Sequence, residues 1–170
     1  MPRVSSAQLE RCQKILTLFE RLGKNISIKG FEDRLEFQKI VYLAQQYGID
    51  FGYSFSWYLK GPYSKTGAKD GYTICENLKS NQKLISVQKT KLDEKNLEKF
   101  RDIISPHMDD PIWLEIAASL IYLREETYGD NPLDQIIGYL IEDLTSGYKN
   151  FDEEKVRKVL SDLVRIRLLK

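Results

Sequence analysis

The sequence predicts a mainly α fold of the α+β class, with a winged-helix-like domain carrying short strands over residues 1–105 and a three-helix bundle over 106–170. Three observations carry this expectation. Residues 33–47 place apolar or aromatic side chains on almost every face of a helix: Phe37, Ile40, Val41, Ala44 and Tyr47 share one side, and Leu35, Tyr42 and Leu43 cover much of the rest. Such a helix is buried nearly all round. Tyr53, Phe55 and Trp57 then alternate with Ser54, Ser56 and Tyr58 as a half-buried strand does, until Gly61-Pro62 stops the run. Beyond Ser105-Pro106, apolar residues recur at three- and four-residue steps in three successive stretches.

In chain order, Ser5 or Ser6 caps a first helix whose inward face is Leu9, Cys12, Ile15, Leu16, Phe19 and Leu22, closed by Gly23. Ile26 and Ile28 alternate in a brief extended link, and Phe31 acts as a hydrophobic staple for the central helix, which Gly48 ends. Pro62 presets a turn, so that Ser64 caps a third helix with Ala68, Tyr72, Ile74, Cys75 and Leu78 as its apolar face. Gly67 and Gly71 each weaken that helix by about 1 kcal/mol relative to Ala, and either permit close packing or leave its start mobile. Ser80-Asn81 turns the chain into a short strand at 84–87 and a basic arm containing Lys89 and Lys91. A linking helix over 92–104 presents Leu92, Leu97, Phe100, Ile103 and Ile104, and a boundary is expected near 106–111. Pro111 then opens a helix through Ile112, Ile116, Leu120 and Leu123. Pro132, after Asp130 or Asn131, opens another through Leu133, Ile136, Ile137, Leu140, Ile141 and Leu144. Asp152 caps the last, with Val156, Val159, Leu160 and Leu163 inward.

At 170 residues and 42% hydrophobic the chain can fill a sizeable core. Its apolar runs fall far short of the roughly 20 residues of a membrane-spanning helix, so a cytoplasmic location without membrane contact is expected. Cys12 and Cys75 have no CxxC partner and read as buried reduced thiols. The net charge of +1 hides a segregation: residues 1–101 carry 18 Lys+Arg against 11 Asp+Glu (+7), 102–154 carry 2 against 13 (−11), and 155–170 carry 6 against 1 (+5). Such polarity can steer a polyanion to one side, or pair the protein with itself as a dimer.

Enzymatic chemistry finds little to rest on. His107 is the single histidine; with Asp109 and Asp110 it makes an incomplete metal set in an acidic linker. The segment GPYSKTG lacks the Gly-Lys-Ser/Thr adjacency of a phosphate-binding loop, and no nucleophile elbow is present. No cofactor is expected. Gln38 and Lys39 are polar residues inside the apolar central helix; Gln38 is expected to bond the turn at 61–64 and Lys39 to reach water.

The run LEFQKIVYLAQQYGIDFGYSFSWYLKGPYS, with Gln38, Lys39, Tyr42 and Gly61-Pro62-Tyr63-Ser64 at its centre, resembles the YwgA-like proteins of archaea and bacteria. LEIAASLIYLREE and FDEEKVRKVLSDLVRIRLL are similar to that family's C-terminal half, although Gly67 and Gly71 stand where the family carries leucines. More distantly, the motif resembles the Panacea domain of antitoxins and SocA-like proteolytic adaptors. Two functions follow as expectations. The order helix, helix, strand, helix, strand together with the basic front half implies a regulator that binds double-stranded DNA through Lys65, Lys69, Lys79, Lys83, Lys89 and Lys91. The Panacea resemblance and the acidic middle imply an interaction module for a protein partner, a toxin or another.

Overall fold

A computed structural model describes residues 3–79, 92–145 and 151–169. It is mainly helical, with seven α-helices and one two-stranded antiparallel sheet among those residues. The helices are α1 (Ser6–Leu22), α2 (Phe31–Tyr47), α3 (Lys65–Lys79), α4 (Glu94–Ile104), α5 (Pro111–Tyr122), α6 (Leu133–Thr145) and α7 (Glu153–Arg165). Strands β1 (Ser56–Tyr58) and β2 (Gly61–Tyr63) lie between α2 and α3. The expected strand at 84–87 and the arm beyond it fall outside the described residues.

Local chemistry sets most of the helix ends. The Ser5 hydroxyl accepts from the Gln8 N–H at 3.1 Å, and Asp93, Asp110 and Asp152 cap α4, α5 and α7 in the same way. Gly23 and Gly48 close α1 and α2 in the left-handed conformation. At the start of α2 the Asp33 carboxylate accepts from Ser27 Oγ at 2.6 Å and from the Gly30 N–H at 3.3 Å, and these bonds hold its pKa below the ordinary value.

Helix α2 is the centre of the molecule. Residues 37–44 are buried without interruption, as the sequence predicts. Its most extensive contact is with α5, itself buried from Trp113 to Ile121, and α3, α4 and β2 cover other sides. Buried side chains from Cys12 to Leu169 join one apolar cluster, and both Ile104 and Leu114 belong to it, so the core has no break at 105–106 among the described residues. After α5 the helix widens into a π-type turn over Leu123–Tyr128 before α6 begins.

Several expectations are corrected. Phe31 is the first residue of α2 and 54% exposed, so it does not staple the helix start. Gly61-Pro62 does not stop the sheet. Gly61, at φ +91°, turns the chain back, and residues 61–63 pair with 56–58. Pro62 is tolerated because it faces Trp57 in a two-stranded ladder, where a position needing no N–H is available. The inward face of α3 is Gly67, Asp70, Gly71, Ile74 and Cys75; Tyr72 and Leu78 point to solvent. Close packing explains the glycines: a Cβ at Gly71 would lie 2.9 Å from the Phe37 ring.

Candidate functional site

The motif residues gather where α2, the hairpin and α3 meet. The Gln38 side-chain amide donates to the Ser64 carbonyl at 2.9 Å and accepts from the Ser64 N–H at 3.0 Å, as expected of a residue that bonds this turn. Ser64 in turn caps α3: its hydroxyl accepts from the Gly67 N–H at 3.1 Å and its carbonyl from the Ala68 N–H at 3.0 Å. One amide on α2 therefore fixes both the end of β2 and the start of α3.

Lys39 departs from expectation. It does not reach water: it is 2% exposed, and its ammonium donates to the Pro62 carbonyl at 2.7 Å. A Cβ at Gly61 would fall 3.6 Å from Lys39 Nζ and would overlap Ser119 Oγ, which brings α5 into the same corner. Glu115, one turn before Ser119, is fully buried. The Tyr42 hydroxyl is buried with no hydrogen-bond partner among the described residues. Burial pushes its pKa up, and the charges of Glu126 and Glu125 in the π-type turn add to the effect.

Above this buried corner lies a groove of about 630 Å³, within the size range of ligand sites. Phe31, Arg34 and Leu35 of α2 form one wall, and Lys65, Ala68 and Tyr72 of α3 the opposite one. The hairpin closes an end with Tyr58, Leu59, Lys60 and Tyr63, while Gln38 and Lys39 reach the groove from α2. Its surface is mainly apolar, and no Asp or Glu among the described residues lines it. Tyr58 and Tyr63 stack on each other at 5.4 Å, and Lys60 Nζ sits 5.9 Å over the Phe31 ring.

Of the lysines singled out for nucleic acid, Lys65, Lys69 and Lys79 are exposed on α3. At 3.6 residues per turn they fall within about 80° of one another. Lys79 is engaged by Glu76 at 3.2 Å, and only Lys65 enters the groove. Lys83, Lys89 and Lys91 lie outside the described residues. Sequence reasoning missed Phe31, Leu59, Arg34 and Lys60; an apolar residue at the tip of a tight turn, as Leu59 is, cannot be covered by its own hairpin and was the available signal.

Asp70 was also missed. It is completely buried on the inner face of α3, where its carboxylate accepts from Arg11 Nε at 2.7 Å and from the Tyr53 hydroxyl at 2.7 Å. Gln8 on α1 reaches Thr73 on α3 at 3.2 Å beside it. These bonds tie α1, the segment before β1 and α3 together, a structural task. The Cys12 thiol donates to the Asp70 backbone carbonyl at 3.9 Å, and burial pushes it up to about 12, which makes it a poor nucleophile. His107 stacks flat on the Trp113 ring at 3.9 Å. No helix among the described residues is long and apolar enough to cross a membrane.

Comparison with family models, with curated proteins and with solved structures gives no match for this chain.

Proposed function

We propose that the chain is a binding protein with no reaction of its own, an interaction module that captures a protein partner in the groove between α2, the hairpin and α3. One observation carries this reading. Phe31, Tyr58, Leu59 and Tyr72, exposed by 54%, 58%, 79% and 58%, all meet at that groove. Large apolar side chains gathered in one exposed patch mark an interaction surface, whereas scattered ones need no explanation. The groove is also held firmly, because Gln38 fixes both the hairpin and the N-terminus of α3.

The reading is tested by placing a photo-activatable amino acid at position 59 and, as a control for general stickiness, at Val164 of α7, which is 51% exposed. Irradiation in cells is expected to give one discrete protein adduct from position 59 and none from 164. Equal labelling from both positions, or no adduct from 59, overturns it.

A second reading, duplex DNA binding by a winged-helix-like N-terminal half, is favoured by the shared exposed face of Lys65, Lys69 and Lys79. Its test is the salt dependence of binding to mixed-sequence duplex: loss of two cations in a Lys65→Glu, Lys69→Glu double variant should lower the slope of log affinity against log salt by about 2. Absence of binding at low salt ends this alternative.

A further inference from the structure

We infer that the groove takes a short acidic segment of a partner protein, with a bulky apolar side chain seated between Phe31, Leu59 and Tyr72 and carboxylates held by Arg34, Lys60 and Lys65. The inference rests on the interaction reading and names the chemistry of the partner.

Charge complementarity is its first support. One cation projects from each of three walls: Arg34 from α2, Lys60 from the hairpin tip and Lys65 from α3. None makes an ion pair among the described residues, although Arg11, Arg21, Lys24, Lys155 and Arg157 all do. Among the described residues Arg34 meets only the Ile28 carbonyl, at 3.4 Å, and Lys60 the face of Phe31. Cations set around an apolar concavity without a carboxylate act on an anion more strongly than cations on a flat wet surface, since the walls displace water and focus the field.

Part of the aromatic surface is already engaged, and the rest favours an apolar side chain. Stacked bases need open ring faces. Tyr58 and Tyr63 turn theirs to each other at 30°, and Phe31 gives one of its faces to Lys60. What remains is the outer ring faces, Tyr72 and the aliphatic surface of Leu35, Leu59 and Ala68, an apolar lining that suits a side chain such as Leu or Phe. Length is the third support. From Phe31 to Gln38 the α2 wall rises by about 10 Å at 1.5 Å per residue. That is the reach of about three residues of extended chain.

The test is selection of phage-displayed short random peptides on the immobilised full chain, followed by affinity measurement with synthetic copies of those enriched. Sequences combining Asp or Glu with Leu, Ile, Phe or Trp are expected. Lys60→Glu should weaken their binding by about tenfold or more, and added salt should weaken it too. Leu59→Asp should abolish binding, with far-UV circular dichroism unchanged because the side chain is 79% exposed. Neutral or basic peptides whose binding Leu59→Asp abolishes would overturn the acidic chemistry and leave the interaction reading standing. Peptides indifferent to both substitutions, or no enrichment at all, would overturn both. Self-association of the chain that Lys60→Glu removes would make the occupant a second copy, and the proposal would fall.

Discussion

Gln38 shows how much a single side chain decides at the site. Both halves of its amide are used on the backbone of Ser64, 26 residues away, in a buried position. Replacement by Ala leaves the buried Ser64 N–H without a partner, while the Ser64 carbonyl keeps the Ala68 N–H; an unsatisfied buried group costs about 1–3 kcal/mol. Gln38→Ala is therefore expected to lower the unfolding free energy by about 1–3 kcal/mol in denaturant titration, and to loosen the start of α3 in amide exchange. The pairing of Gln38 with this turn was legible, because a polar residue on a helix buried all round must find a partner. The fate of Lys39 was not. Whether a long cation snorkels or folds inward depends on which carbonyl stands nearby, and the Pro62 carbonyl is brought there by a strand pairing that the residues around Gly61-Pro62 do not advertise. Asp70 was hidden for a related reason: periodicity counts apolar residues, so an acid on the inner stripe between Gly67 and Ile74 looks like an interruption until Arg11 and Tyr53 are seen to meet it.

At the scale of elements, α3 owes its position to residues without side chains. Gly71 lets α3 approach until the Phe37 ring of α2 fills the space. Gly71→Ala gains helix propensity of about 1 kcal/mol, yet forces a buried ring to move. Overpacking of that kind costs about 1–3 kcal/mol, and the prediction is a net loss of stability in thermal or denaturant unfolding. A more stable variant would show that Phe37 yields freely. The apolar runs and caps of α1, α2, α4, α5 and α7 were readable because each is a local signal, repeated at helical spacing and closed by Ser, Asp or Gly. The hairpin was only half readable. The alternation of Tyr53, Phe55 and Trp57 against Ser54, Ser56 and Tyr58 does describe burial, but Pro62 as a strand residue runs against the general rule. The groove follows from this pairing, which is why Leu59 and Lys60, at its tip, were not marked in advance.

Across the whole molecule, the shared core predicts cooperative behaviour. Because α5 packs on α2 and the buried cluster continues from Ile104 to Leu114, far-UV circular dichroism and tryptophan fluorescence are expected to report one coincident unfolding transition. Separate midpoints would indicate two independent units. Acid should weaken the fold in two stages. Burial against Trp113 lowers the His107 pKa from its ordinary 6.5, with Asp162 and Asp110 opposing and Arg165 and Lys155 assisting. The unfolded chain then binds the proton more readily, so stability falls as the pH drops below 6.5. Burial would raise the Asp110 carboxyl, but the Trp113 N–H and the Lys155 ammonium outweigh it and hold it below 3.8, which adds a second loss in that lower range. Unfolding free energies measured across pH check both stages, and a His107→Gln variant should keep only the second.

The enclosure of α2 by α5 also has a consequence for how the chain is made. From Tyr47 to Pro111 the ribosome must add 64 residues before the helix that covers α2 begins to emerge. At ordinary translation speeds that interval lasts roughly 3–13 s. For that time the side of α2 that α5 covers has no mate, and the nascent polypeptide is a natural client for chaperones that shield such surfaces.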